Sequence, residues 1–111
     1  MWEKTKHGAI DVIVGDRPLT ADNAGTLKQV LEQCVHDGQP RLVLDLRDVS
    51  LIDSIGLELL LDARDTCIKR GGTMQLASVS PLCLDILKVT GVAADFEIFS
   101  DSISAAGSFS Q

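Results

Sequence analysis

A chain of 111 residues is long enough for one buried core and too short for two, so a single domain over residues 1–111 is expected. Acidic residues outnumber basic ones 16 to 10, for a formal charge of −6, and the basic residues form no run. That balance argues against nucleic acid or an anionic membrane as partner. No segment approaches the ~20 apolar residues of a membrane-spanning helix, and no leader-like segment precedes the first strand, so a cytoplasmic domain without direct membrane insertion is expected.

The chain opens with residues 2–6 and residues 9–14, the latter (AIDVIV) rich in β-branched side chains; a turn at His7 and Gly8 pairs the two as a hairpin. Gly15 to Pro18 reads as a loop. Over residues 21–36, apolar side chains recur at Ala24, Leu27, Val30, Leu31, Cys34 and Val35, a helical stripe capped by Thr20 and ended near Gly38. Pro40 then forces an extended entry into residues 41–46, RLVLDL, whose apolar run suits a strand buried on both faces.

After this strand, Val49, Leu51 and Ile52 are expected to hold the connection to the core. The chain reaches Asp53-Ser54-Ile55-Gly56-Leu57, and a pattern of helical period begins at once. Ser54 therefore falls where a helix N-cap is expected, at the carboxyl end of a central strand. That place sets a hydroxyl beside free backbone N–H groups, an arrangement suited to carrying an anion, although serine is also a favoured plain cap. Gly56 in the first turn costs about 0.5–1 kcal/mol relative to alanine, which points to backbone that must be bare or closely approached.

The second helix is expected over residues 55–70, stopped by Gly71 and Gly72, and residues 73–78 read as the next strand. Ser80 followed by Pro81 is a strong start signal for a short helix that ends at Gly91. Residues 96–99 form a last short strand, and residues 101–106 begin a terminal helix. Strands alternating with helices imply an α/β domain with a mixed, mostly parallel sheet, its opening pair antiparallel.

Catalytic readings find little support. No phosphate-binding glycine loop and no G-x-S-x-G elbow is present, and His7 and His36 are not placed as a base for Ser54 by any motif. Cys34, Cys67 and Cys83 are widely spaced, and Cys34 and His36, two apart on a helix, face different ways, so buried free thiols are expected. Pairs such as Asp45 with Asp53, or a group of Asp48, Asp53, Glu58 and Asp62, are weighed as a Mg²⁺ site but read more simply as solvated acidic surface. No enzyme activity, metal or cofactor is expected.

Taken whole, the run from Arg41 to Leu57 resembles the signature of STAS domains, the family of anti-sigma factor antagonists and of the cytoplasmic parts of sulfate transporters. Val49, Ile52, Asp53, Ser54, Gly56, Leu57 and the closing Gly71 and Gly72 match that signature, and weaker likeness runs on through Ser80-Pro81 and Thr90-Gly91. The resemblance implies a STAS-like single domain with helices packed mainly on one side of the sheet. It also implies that Ser54 is a phosphoacceptor, modified by a partner that is both serine kinase and anti-sigma factor, and restored by a serine phosphatase. Asp53, Ser54, Ile55, Gly56 and Glu58 would form the partner-binding surface, with Gly56 an open helix start and Leu57 the first anchor into the core. Three positions depart from the family pattern: Thr20 where an aspartate is usual, Ile55 in place of a smaller residue, and Glu58 where glycine is frequent. The alternative implied by the same resemblance is an unphosphorylated accessory subunit of a membrane transporter or signalling complex. The oligomeric state is left open.

Overall fold

A computed structural model describes residues 2–35 and 38–109. In chain order it contains β1 (Trp2–His7), β2 (Ile10–Gly15), α1 (Ala21–Cys34), β3 (Arg41–Asp45), α2 (Ser54–Lys69), β4 (Thr73–Ala77), α3 (Pro81–Val89), a 3-10 turn (Val92–Asp95), β5 (Ile98–Phe99) and α4 (Ser102–Ser108). The strands lie in sequential order, β1-β2-β3-β4-β5, as a single sheet. β1 runs antiparallel to β2, as the hairpin pattern predicts, and every later pairing is parallel.

This order decides where the helices go. Each crossover adds its new strand on the same side of the last one, and crossovers share one hand, so α1, α2 and α3 are carried to one face. The alternation within the strands agrees: Ile13, Leu42, Leu44, Met74 and Leu76 join the large core beneath those helices, with Leu27, Leu31, Leu60, Cys67, Cys83 and Leu87. Val12, Val43 and Ala77 point the other way and meet Ala105 of α4, so the second face carries only the short terminal helix. β3, third of five, is covered on both faces, which is why its sequence reads as an apolar run.

Three local expectations are corrected. Thr20 is the N-cap residue of α1, but its side chain makes no capping bond; its carbonyl serves instead, accepting from Asn23 and Ala24. Leu51 is 44% exposed and pins nothing by its side chain, while Val49 and Ile52 on either side are buried. The last strand shrinks to Ile98–Phe99, because Phe96 closes the preceding 3-10 turn and turns into the core. His36, and with it the Cys34–His36 pair, lies outside the described residues.

The glycine pair after α2 has a steric reason. Gly71 has a left-handed φ of +78°, and Gly72 passes so close to Pro40 that a Cβ there would overlap its carbonyl oxygen. The end of α2 and the entry to β3 are thereby pressed together, with the Thr73 N–H bonded to the Pro40 carbonyl at 2.9 Å.

Candidate functional site

The segment between β3 and α2 runs beside the segment between β2 and α1. Leu19 and Ile52 form an isolated parallel bridge: the Leu19 N–H donates to the Leu51 carbonyl at 2.8 Å, and the Asp53 N–H donates to the Leu19 carbonyl at 3.1 Å. Leu19, fully buried, anchors this miniature ladder from below. The first turns of α1 and α2 consequently stand side by side at the carboxyl end of the sheet.

Asp53 joins them. Its Oδ1 accepts from the Gly56 N–H at 2.8 Å, capping α2, and its Oδ2 accepts from the Ala21 N–H at 3.0 Å, satisfying the start of α1. These bonds, the Gly56 one first and then Ala21, hold the Asp53 carboxyl below its ordinary value of 3.8. Here the structure corrects the expected cap. Asp53 is the N-cap residue and Ser54 is the first residue of the helix proper. A carboxylate outcompetes a hydroxyl for the role because the bond it accepts is charge-assisted. Ser54 is released from structural duty: it is exposed, and its hydroxyl has no hydrogen-bond partner among the described residues.

Gly56 is the second correction. It is buried, not an open helix start. A Cβ at this position would come 2.4 Å from the Leu19 carbonyl oxygen and 2.8 Å from Leu19 Cγ. The glycine therefore admits the neighbouring strand segment from below, and contributes to the surface by shape and not by contact. Leu57 packs partly buried against the core, as an anchor should.

On the outer side of the same turn, Ser54 is followed by Ile55, 46% exposed, and Leu51, three residues before it, is also exposed. Glu58 follows Ser54 by one turn and Asp62 by two, all three exposed along one face of α2. The site is an exposed hydroxyl at a helix start, set among apolar side chains and continued by an acidic stripe. The structure thus brings Asp53, Ser54, Ile55 and Glu58 together at one place, with Gly56 beneath them.

Other readings of these carboxylates fall away on geometry. Asp45, completely buried, is held by the Arg47 backbone N–H at 3.0 Å and by its guanidinium, Nη2 to Oδ2, at 2.9 Å, and Asp53 is occupied as a double cap. Among the described residues no group of three or more His, Cys, Asp or Glu side chains is placed to hold a metal ion. His7 ends β1, on the hairpin away from the α2 start. Sequence reasoning missed the part played by Leu19 and Ala21, since nothing local marks a backbone N–H as the partner of a carboxylate 32 residues away.

The family model for the STAS domain matches residues 1–105. No curated protein sequence matches the chain. Among solved structures, an anti-sigma factor antagonist from Mycobacterium paratuberculosis superposes with a TM-score of 0.89 at 22% identity, over 100% of this chain and 94% of that one. The phosphorylated form of the Bacillus cell fate determinant SpoIIAA gives 0.75 at 13% identity, over 98% and 99% of the two chains. The murine anion transporter Solute Carrier 26 family member A9 gives 0.79 at 22% identity, over 95% of this chain but 18% of the transporter. At these identities the likeness establishes the fold. Among the described residues no helix is long and apolar enough to cross a membrane.

Proposed function

The chain belongs to the STAS domain family, and from that premise we propose that it is an anti-sigma factor antagonist switched by phosphorylation of Ser54. Unmodified, it binds a partner that acts as both anti-sigma factor and serine kinase; phosphorylated, it releases that partner until a serine phosphatase restores it. The observation that carries this reading is the division of labour between Asp53 and Ser54. The carboxylate does the capping, so the hydroxyl beside it is exposed and unengaged, and can be modified without dismantling the helix start.

The physics of the switch follows from the surroundings. A phosphate adds about −1.5 to −2 charges in the middle of an interface. It would sit next to the ionised Asp53 and one turn from Glu58, on a stripe already acidic. A partner suited to Leu51 and Ile55 presents apolar side chains opposite Ser54, and must desolvate the added charge to remain bound. The α2 N-terminus meanwhile tolerates a phosphate internally, because the helix dipole favours negative charge there.

The test is a pull-down from the source organism with mass spectrometry for phosphate on Ser54, followed by calorimetry of the unmodified, Ser54→Ala and phosphorylated forms against the captured partner. The switch requires the first two to bind alike and the third more weakly. Equal affinity of all three forms would remove it.

A second reading, an accessory subunit that docks without modification in a transporter or signalling complex, draws on the likeness to a domain within an anion transporter. Neighbouring genes separate the two: a serine kinase and phosphatase favour the switch, and transporter genes favour the subunit.

A further inference from the structure

The ladder that sets the two helix starts side by side also fixes which residues stand opposite each other. Leu19 pairs in parallel with Ile52, and both are buried. The next residue along each segment is Thr20 on one and Asp53 on the other, and both keep extended backbone, with φ −130° and ψ 176° at Thr20 and φ −94° and ψ −176° at Asp53. Successive side chains of an extended chain point to opposite sides, so Thr20 and Asp53 point away from the core into which Leu19 and Ile52 turn. Segments in such a ladder run about 4.8 Å apart. Thr20 is therefore a direct neighbour of Asp53 and lies one residue off Ser54.

A threonine at this position ordinarily caps its helix by accepting from an N–H of the first turn. Here other groups have taken those donors. The Asn23 N–H goes to the Thr20 carbonyl at 2.9 Å, and the Ala21 N–H goes to Asp53 Oδ2 at 3.0 Å. The half-buried Thr20 side chain makes no capping bond, and its hydroxyl has no hydrogen-bond partner among the described residues. Its condition repeats that of Ser54: a hydroxyl at a helix start, relieved of structural duty by the Asp53 carboxylate and by backbone. One residue further on the segments become α1 and α2, at Ala21 and Ser54, both exposed. Ala21 adds only a methyl group, so the approach to both hydroxyls is open.

We propose that Thr20 is a second phosphoacceptor on the docking surface, modified by the same partner kinase, and that a phosphate there also releases the partner. This rests on the reading of that surface as the face seen by a kinase. In the step, Thr20 Oγ1 bonds to the γ-phosphorus of a nucleoside triphosphate, its proton passes to a base of the kinase, and the nucleoside diphosphate leaves. The phosphate adds about −1.5 to −2 charges beside the ionised Asp53. A partner seated over Ser54 covers Thr20 as well, so it must desolvate either charge to stay bound. The α1 N-terminus offsets the charge within the domain, as the α2 N-terminus does at Ser54.

The test uses the partner captured by the pull-down, supplied with ATP and incubated with the parent chain, Ser54→Ala, Thr20→Val and the double variant. Fragment mass spectrometry then locates the phosphate. Ser54→Ala should still gain a phosphate, at Thr20; Thr20→Val should gain one only at Ser54, and the double variant none at either position. Thr20→Ser should restore the label at position 20, and carries that arm if Thr20→Val fails to fold. By calorimetry, Thr20→Glu should bind the partner about tenfold more weakly than the parent, while Thr20→Gln, of the same size and neutral, should bind as the parent does. An unlabelled Thr20 in Ser54→Ala, with Ser54 labelled in the parent, would overturn the proposal and leave the Ser54 switch standing. Label at Thr20 with none at Ser54 would remove that switch and keep the proposal. No label at either residue would remove both, and equal affinity of Thr20→Glu and parent would overturn release through Thr20.

Discussion

The Oδ2 atom of Asp53 accepts a hydrogen bond from the backbone N–H of Ala21 at 3.0 Å, across 32 residues of chain, while its Oδ1 caps its own helix at Gly56. One carboxylate thus fixes the relative position of two helix starts, and with them the surface on which Ser54 stands. Removing it leaves two backbone donors without their partner at once. Asp53→Ala is expected to lower the melting temperature more than Asp101→Ala, since Asp101 caps only α4, through Ser104. Thermal melts of the two variants beside the parent check this ordering.

The same bonds give acid sensitivity of a defined sign. The folded-state value of Asp53 lies below its ordinary 3.8, so its contribution is complete above that pH and is lost as pH falls through the folded value. Asp101 is depressed likewise, by its bond from Ser104. Asp53→Asn should therefore be less stable than the parent at neutral pH, with the difference shrinking as the solution is acidified below 3.8. Denaturant melts across that range would show it; a difference independent of pH would contradict it.

Gly56→Ala should be costly despite the higher helix propensity of alanine. The new Cβ would fall 2.4 Å from the Leu19 carbonyl oxygen, a backbone atom that cannot swing aside. Overpacking of this kind costs about 1–3 kcal/mol, against a propensity gain of about 1 kcal/mol or less. A net loss on chemical denaturation is expected, together with altered amide shifts at Leu19 and Ile52.

Ser54→Ala, by contrast, should change stability by no more than about 0.5 kcal/mol, as at an ordinary surface position. The sequence alone would set this loss at ~1 kcal/mol, the usual cost of a missing cap, but Asp53 does the capping. Ser54→Glu should also fold, and should bind the partner more weakly than the parent does. Glu58→Gln should ease phosphorylation if repulsion along the α2 stripe matters, which phosphorylation rates by the cognate kinase would reveal.

Cys34, Cys67 and Cys83 are all buried and free. Burial pushes the Cys34 and Cys67 thiols up to about 11, so thiolate is scarce at neutral pH. Cys67 and Cys83, both fully buried, should resist a water-soluble disulfide reagent in the native state and react fully in denaturant. Rapid reaction at either in the native protein would show a local opening of the core under α2 or α3.

By itself the sequence determined the order of elements, the buried central strand and the neighbourhood of Ser54. These rest on signals written within a few residues: the apolar run at Leu42 to Leu44, the helical stripe after Gly56, the Ser80 and Pro81 start, and the Gly71 and Gly72 stop. It also called for bare backbone at Gly56, though not for the reason, which is a strand segment passing beneath. It took the packed fold to make Asp53 and not Ser54 the cap, to turn Leu51 outward, and to bury Asp11 beside Lys6 and Cys34. Each of these turns on a partner distant in sequence: Ala21 for Asp53, Leu19 for Gly56 and for the Leu51 carbonyl, Cys34 for Asp11. Local periodicity records which way a side chain faces within its own element. The competition between a carboxylate and a hydroxyl for the same N–H groups is settled only once the two helix starts have been packed side by side.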